Sequence, residues 1–400
     1  MDKLWNPFDE TYRVDPYSMY QRLRTESPVY RSQSGDIVLT RYNDIKNILL
    51  NGTDFRAGNR LEWIARQVKY LENKNEDLNA VLDAMNSFIV MMNPSEHTQL
   101  RNILLEAWDD HEVDQLIKEN IDELLNKIQG KQFDLIGDFA APLPAMTMTR
   151  IMGMPIEDYS YLKKIATDII KTLDVYVSYK DLVQIDASSK AFIAYLNHYL
   201  DYREANLSND LVSKVIKKHK ENNVPVSRKQ MISICIFLFT AGEETTVNLI
   251  GTGILALLNH PQQGDLLKSN PSLLDSAVDE ALRFESPVQL LGRIVTKDCN
   301  LNGVAIKKND TITMCLGAAN HDPEIFQKPN DFEITRNAKS HLAFGAGIHF
   351  CLGSWLAKKQ WKMAVHEVLQ RFPTMKVMEP PSWNNMLSVR GLSSLKISRG

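Results

Sequence analysis

Phe344-Gly345-Ala346-Gly347-Ile348-His349-Phe350-Cys351-Leu352-Gly353 is the stretch that decides the reading of this chain. Three glycines and one cysteine fall within ten residues, and helical text, Ser354-Trp355-Leu356-Ala357-Lys358-Lys359, follows at once. Glycines at this density let a backbone turn through positive φ and pass close to a bulky partner. A cysteine at the mouth of the next helix meets the positive end of its dipole, which favours thiolate over thiol. A thiolate held by a glycine loop against something large and flat suits a heme iron, where it pushes electron density onto the metal and favours O–O cleavage. The plainer alternative for a lone cysteine is a small buried hydrophobe.

In residue type and spacing the loop resembles the heme-ligand loop of the cytochrome P-450 monooxygenases, Phe-Gly-x-Gly-x-His-x-Cys-Leu-Gly. Two further motifs of that family occur in the expected order, and the resemblance covers nearly the whole chain. It implies a mainly α fold with a minor β portion, a triangular helical body with a long central distal helix and small β-sheets, built as a single domain over residues 1–400. It also implies heme b (iron protoporphyrin IX) as cofactor, with Cys351 as the metal ligand and Phe344 and His349 beside it.

The second motif lies in a long helix. Ser227-Arg228-Lys229-Gln230 is a capping box, and helical text continues to Asn259-His260, where Pro261 stops it. At 1.5 Å per residue this helix is about 50 Å long. Apolar residues surround it on all sides, so it is buried. In its middle stands Ala241-Gly242-Glu243-Glu244-Thr245-Thr246, a polar group that is costly to bury without partners. The resemblance makes Gly242 the residue that clears space over the heme, Glu244 the acid and Thr245 the alcohol of a proton relay. Glu243 falls at the family's variable position and is expected to face elsewhere. The alternative for the two threonines is back-bonding to the preceding helical turn.

The third motif is Glu280-Ala281-Leu282-Arg283, whose glutamate and arginine share a helix face at i and i+3. In the family this pair is buried and completed by a further arginine, here Arg336, so the three are expected to serve folding. Heme propionates need cations. The resemblance names His97 and Arg101, four apart on one helix face, together with Arg293 and His349. A zinc site from His341, His349 and Cys351 is the competing reading, weakened by the want of a fourth ligand. Two departures stand out: Lys358-Lys359-Gln360 replaces the family's Arg-x-Glu, and Ala319-Asn320-His321-Asp322 carries histidine for the usual arginine. Lys358, Lys359 and Lys362 crowd one face and read either as a dock for an acidic electron donor or as ordinary solvated lysines.

Composition sets the bounds. An apolar fraction of 44%, a charged fraction of 24% and a net charge of -3 describe a soluble globular protein with no electrostatic case for nucleic acid. Met1-Asp2-Lys3-Leu4-Trp5 has no apolar core for a signal peptide or membrane anchor. The most apolar run, Met231 to Thr240, falls short of the roughly 20 residues of a membrane span. Cys235, Cys299, Cys315 and Cys351 show no framework spacing and suit a reduced, cytoplasmic protein. No dinucleotide fingerprint follows a strand, so no attached flavin or nicotinamide module is expected; the resemblance implies electrons from separate partners, a ferredoxin or flavodoxin and its NAD(P)H reductase. Strand text at Asp36 to Arg41, hairpins around Asn302-Gly303 and Lys308-Asn309-Asp310, and another hairpin from Leu387 to Ser398 make up the β portion. Helical periodicity covers Glu112 to Ile128 and Tyr161 to Tyr176.

By resemblance the substrate pocket is lined by Phe88, Ile89, Leu238, Ala241, Val288, Leu290 and Leu291, all apolar, which implies a mostly hydrocarbon ligand. The charged text from Leu61 to Asn86 reads as an exposed lid. The expected activity is oxygen insertion into a hydrophobic small molecule of terpene, polyketide or fatty acyl type, free or held on a carrier protein, in secondary metabolism by a monomeric enzyme. Use of peroxide is disfavoured by the intact acid–alcohol pair. The alternative from another class is a non-catalytic heme-binding sensor or carrier.

Overall fold

The computed structural model describes residues 4–73, 77–108 and 113–399. Lys74 and Glu76 of the charged segment, Glu112 at the start of one expected helix, and Met1 to Lys3 lie outside these residues. The chain is 59% helical with small sheets, the α-rich fold expected. It divides into two compact units: residues 1–57, 123–140 and 245–400 form one, residues 58–122 and 141–244 the other. The division falls inside the long helix, between Glu244 and Thr245.

The first unit carries the described strands: β1 (Val29–Arg31), β2 (Ile37–Leu39), β3 (Phe55–Arg56), β4 (Gln132–Asp134), β5 (Leu290–Val295), β6 (Cys299–Leu301), β7 (Val304–Ile306), β8 (Thr311–Cys315), β9 (Lys376–Val377), β10 (Ser382–Trp383), β11 (Leu392–Ser394) and β12 (Lys396–Ser398). The main sheet runs β1-β2-β8-β5-β3, with β2 and β8 parallel and the other pairs antiparallel. Ile37, Leu39, Ile45, Ile48, Ile312 and Met314 form its core with almost no exposure.

The turn chemistry holds at one hairpin and fails at two. Asn302 (φ 51°) and Gly303 (φ 87°) join β6 to β7 through the left-handed pair that a two-residue hairpin needs. Lys308-Asn309-Asp310 is also a turn, but β8 does not pair with β7. It slots between β2 and β5, whose buried apolar faces are the better partners for Ile312 and Met314. The tail is not a hairpin either: β11 pairs with β10, while β12 sits between β4 and β9. A single residue, Leu395, separates β11 from β12 and cannot reverse the chain. Asp134 pins this segment, its carboxylate accepting from Leu395 N (2.9 Å), Ser394 Oγ (2.7 Å) and Lys396 Nζ (3.2 Å).

The second unit is helical, built on Asn59–Glu72, Ala80–Met85, Pro94–Ala107, Pro142–Ile151, Tyr159–Ile169, Tyr179–Ala205 and Leu211–Glu221. The helix expected over Tyr161 to Tyr176 is shorter, turning to 3₁₀ at Ile170–Leu173. The charged segment makes two helices that bury Ile64, Val68, Val81, Ala84 and Met85, so it is only partly the exposed strip expected. It is tied down where Ser87 N donates to Ser233 Oγ (2.7 Å) and Ser233 Oγ donates to Ala84 O (2.6 Å).

The long helix spans Arg228–Asn259, α-helical without a break. Its capping box is complete: Ser227 Oγ accepts from Gln230 N (3.2 Å) and Gln230 Oε1 accepts from Ser227 N (2.9 Å). By length and composition it could cross a membrane, but 72% of its most apolar window is buried inside the protein.

Candidate active site

In the first unit the glycine loop is held by its own backbone. Gly345 N donates to Leu342 O (2.8 Å), Phe350 N to Gly347 O (3.0 Å) and Cys351 N to Phe344 O (2.9 Å). Gly345 and Gly347 both sit at φ 70°, and a Cβ on Gly347 would come 2.6 Å from Leu49 O, so only glycine fits there. The helix Ser354–Arg371 opens three residues past Cys351, whose side chain stays half-exposed. The other cysteines are ordinary thiols. Burial pushes Cys235 up to about 12 and raises Cys315 further, and it raises Cys299 too.

His341, the third member of the zinc alternative, faces Asp279 at 3.6 Å, and Lys358 meets the same carboxylate at 2.5 Å. Burial works against the Asp279 charge, yet these two partners hold its pKa below the usual range. Among the described residues no three His, Cys, Asp or Glu side chains gather to hold a metal ion. Lys362 pairs with Asp275 (2.6 Å) and Lys359 lies over the Trp355 ring. Two of the three lysines read as a docking patch therefore have their charge offset within the chain.

β5 sorts the residues expected around the cofactor and substrate. Strand alternation sends Leu291 and Arg293 to one face and Leu290 to the other. Leu290 is 3% exposed on the face opposite Arg293. Arg293 is 5% exposed, and its guanidinium donates to Gly292 O at 2.9 Å. Among the described residues no carboxylate pairs with it, and burial alone lowers its pKa to about 10. A cation buried this far is costly without an anion. A heme propionate is the anion that fits. Val288 and Leu291 are half-buried against the sheet core.

The structural triad is as expected. Arg283 and Glu280, both fully buried, meet through paired contacts of 2.7 and 2.8 Å, and Arg336 Nε reaches Glu280 at 3.2 Å. Arg283 also donates to the carbonyls of Asn320, Pro329 and Asp331.

In the second unit, His97 and Arg101 lie one turn apart on helix Pro94–Ala107. His97 is 1% exposed, and burial first, then the neighbouring Arg101, lowers its pKa. Phe88 and Ile89 are buried, Phe88 against the Phe237 ring.

On the long helix, every residue from Met231 to Leu257 is buried except Phe237, Ala241, Gly242, Glu244 and Thr245. At 100° per residue these five occupy one side of the helix, roughly half its circumference. The acid and alcohol thus stand together on the one accessible face of a buried helix. Leu238 is buried beside it. A Cβ on Gly242 would come 2.9 Å from Met148 Sδ, so here the glycine makes room for the helix Pro142–Ile151. Glu243 points away from the accessible face, as expected, but the sequence did not show that it would be 0% exposed.

The family model "Cytochrome P450" matches residues 29–395. The chain is 34% identical to the biotin biosynthesis cytochrome P450 of Bacillus subtilis over 91% of each chain. It is 31% identical to the polyketide biosynthesis cytochrome P450 PksS of the same organism, over 100% of this chain and 99% of PksS. The solved structure of P450BioI in complex with hexadec-9Z-enoic acid ligated acyl carrier protein superposes with a TM-score of 0.89 at 31% identity, covering 98% of this chain and 100% of that one. The chain belongs to the cytochrome P450 family. It is a P450 monooxygenase, and its cofactor is heme b bound through a cysteine thiolate.

Proposed function

We propose that this enzyme oxidises an unactivated C–H or C=C bond in a long, mostly hydrocarbon acyl or polyketide chain, in a biosynthetic pathway. The relatives in biotin and polyketide biosynthesis and the acyl-carrier complex of P450BioI support that substrate class. Cys351 is the thiolate ligand, half-exposed where Cys235 and Cys315 are buried. Arg293, Arg101, His97 and His349 hold the propionates, Arg293 by neutralising a charge otherwise stranded. When bound, the heme supplies an iron that activates dioxygen. The protein's part is proton supply: Thr245 holds a hydroxyl proton on the accessible face and Glu244 replaces it from water. Electrons come from a separate ferredoxin or flavodoxin and its NAD(P)H reductase, in a cytoplasm that keeps thiols reduced.

The observation that carries this reading is the accessible face itself, a carboxyl and a hydroxyl set side by side on a helix buried everywhere else in its middle. A structural role alone gives no reason to leave these two uncovered. The test has two parts. Reduced protein under carbon monoxide should show a Soret band shifted well to the red of histidine-ligated heme, lost in Cys351→Ser. Thr245→Ala should then divert reducing equivalents from product to peroxide. A sensor or carrier would show the first result without the second.

A further inference from the structure

Glu243 is the anomaly of the long helix. Its side chain is 0% exposed, and neither carboxyl oxygen makes a hydrogen bond among the described residues. A buried polar group left so is costly, and a buried charge costs more. The nearest cation is Lys163 on helix Tyr159–Ile169, its Nζ 3.9 Å from Glu243 Oε1 and its side chain 31% exposed. One end of this pair touches solvent, the other lies inside the helix packing, and Glu244 follows directly. Burial first, then the Glu244 charge, raise the Glu243 pKa well above the carboxylate range against the pull of Lys163.

We propose that Glu243 is a proton store behind the acid–alcohol pair, refilled from solvent through Lys163 and emptied into Glu244. It acts through Glu244 and does not touch the reacting atoms, and the assignment rests on Glu244 serving the reaction as proposed above. The Glu243 carboxyl gives its proton to the Glu244 carboxylate, and the Lys163 ammonium then gives one to the Glu243 carboxylate. The Lys163 amine takes a proton from solvent, so each cycle moves one proton inward. The 3.9 Å gap exceeds a hydrogen bond, so the lysine stem must rotate or one water must bridge it. Consecutive helical residues point about 100° apart, so the step to Glu244 needs the same.

The test is infrared spectroscopy of the heme-loaded protein, which needs no substrate. The wild type should show the carbonyl stretch of a protonated carboxylic acid, and Glu243→Gln, close in shape, should lack it. In Glu244→Gln that band should persist but shift, because the two carboxyls are coupled. On transfer to D2O the wild-type band should move to its deuterated position promptly. In Lys163→Met the band should remain and exchange about tenfold more slowly or worse, since exchange then waits on local opening. A band unchanged by Glu243→Gln, unmoved by Glu244→Gln, or exchanging equally fast without Lys163 overturns the proposal. These readouts do not depend on the carbon monoxide spectrum or on peroxide release, so either reading can fail without hiding the result for the other.

Discussion

On the proposed propionate contact, Arg293 ties the cofactor to the fold at the scale of one residue. Without an anion its buried guanidinium is a penalty, so Arg293→Met should leave the heme-free protein as stable or raise its stability by about 1–4 kcal/mol. The same change should speed heme loss about tenfold, the worth of one charged hydrogen bond. Urea unfolding of the heme-free form and heme transfer to a scavenging protein check the two halves. A loss of stability without faster heme loss would make Arg293 a plain structural residue. His321, where the family usually has arginine, makes a second case. It is 4% exposed, Nδ1 lies 3.1 Å from Gly317 O, and the Tyr17 ring sits 4.2 Å away. Burial, then Arg283, lower its pKa from 6.5 to about 3. The unfolded chain takes up a proton below 6.5 that the folded chain refuses, so this stability is present above 6.5 and drains as pH falls toward 3. At two pH units below 6.5 the loss is about 2–3 kcal/mol. His321→Gln should lose that much less between neutral and acid urea melts. Both residues were visible in the sequence as motif positions. Their burial was not, because it depends on strands and helices remote in the chain.

The long helix was legible from end to end, since its cap, its stop and its all-round apolar text are local signals. Its packing was not. Gly253 lies against the fully buried Trp361 of helix Ser354–Arg371, and a Cβ there would come 2.4 Å from the indole Nε1. Gly253→Ala gains about 1 kcal/mol of helix propensity. Overpacking a fixed indole costs about 1–3 kcal/mol. The net should be a loss, read as a lower urea midpoint. A gain would mean that the helices part easily at this point. Residues 108 apart meet here, and no periodicity announces such a meeting. The two misread hairpins failed for the same reason: turn residues say where a chain reverses, while long-range burial decides which strands then pair.

For the molecule as a whole, class was readable and substrate was not. The thiolate loop, the acid–alcohol pair and the Glu280–Arg283 pair are each contiguous in sequence, so resemblance could find them. The apolar residues expected at the pocket come from separate segments, so no contiguous motif marks them. Relatives at 34% and 31% identity are named for biotin and polyketide biosynthesis, so one scaffold supports more than one ligand. The P450BioI complex holds a long acyl chain on its carrier, and a carrier presents such a chain without asking the enzyme to extract it from water alone. A carrier-linked chain adds a second contact surface, and linking two contacts multiplies affinity by about a hundredfold when geometry allows both. Hexadec-9Z-enoyl acyl carrier protein should therefore shift the heme spin state at lower concentration than the free acid, and carrier alone should not shift it. Equal affinity for free and linked chains would show that the pocket reads the hydrocarbon and nothing else. No shift with either would move the substrate out of the acyl class while leaving the thiolate and its proton supply untouched.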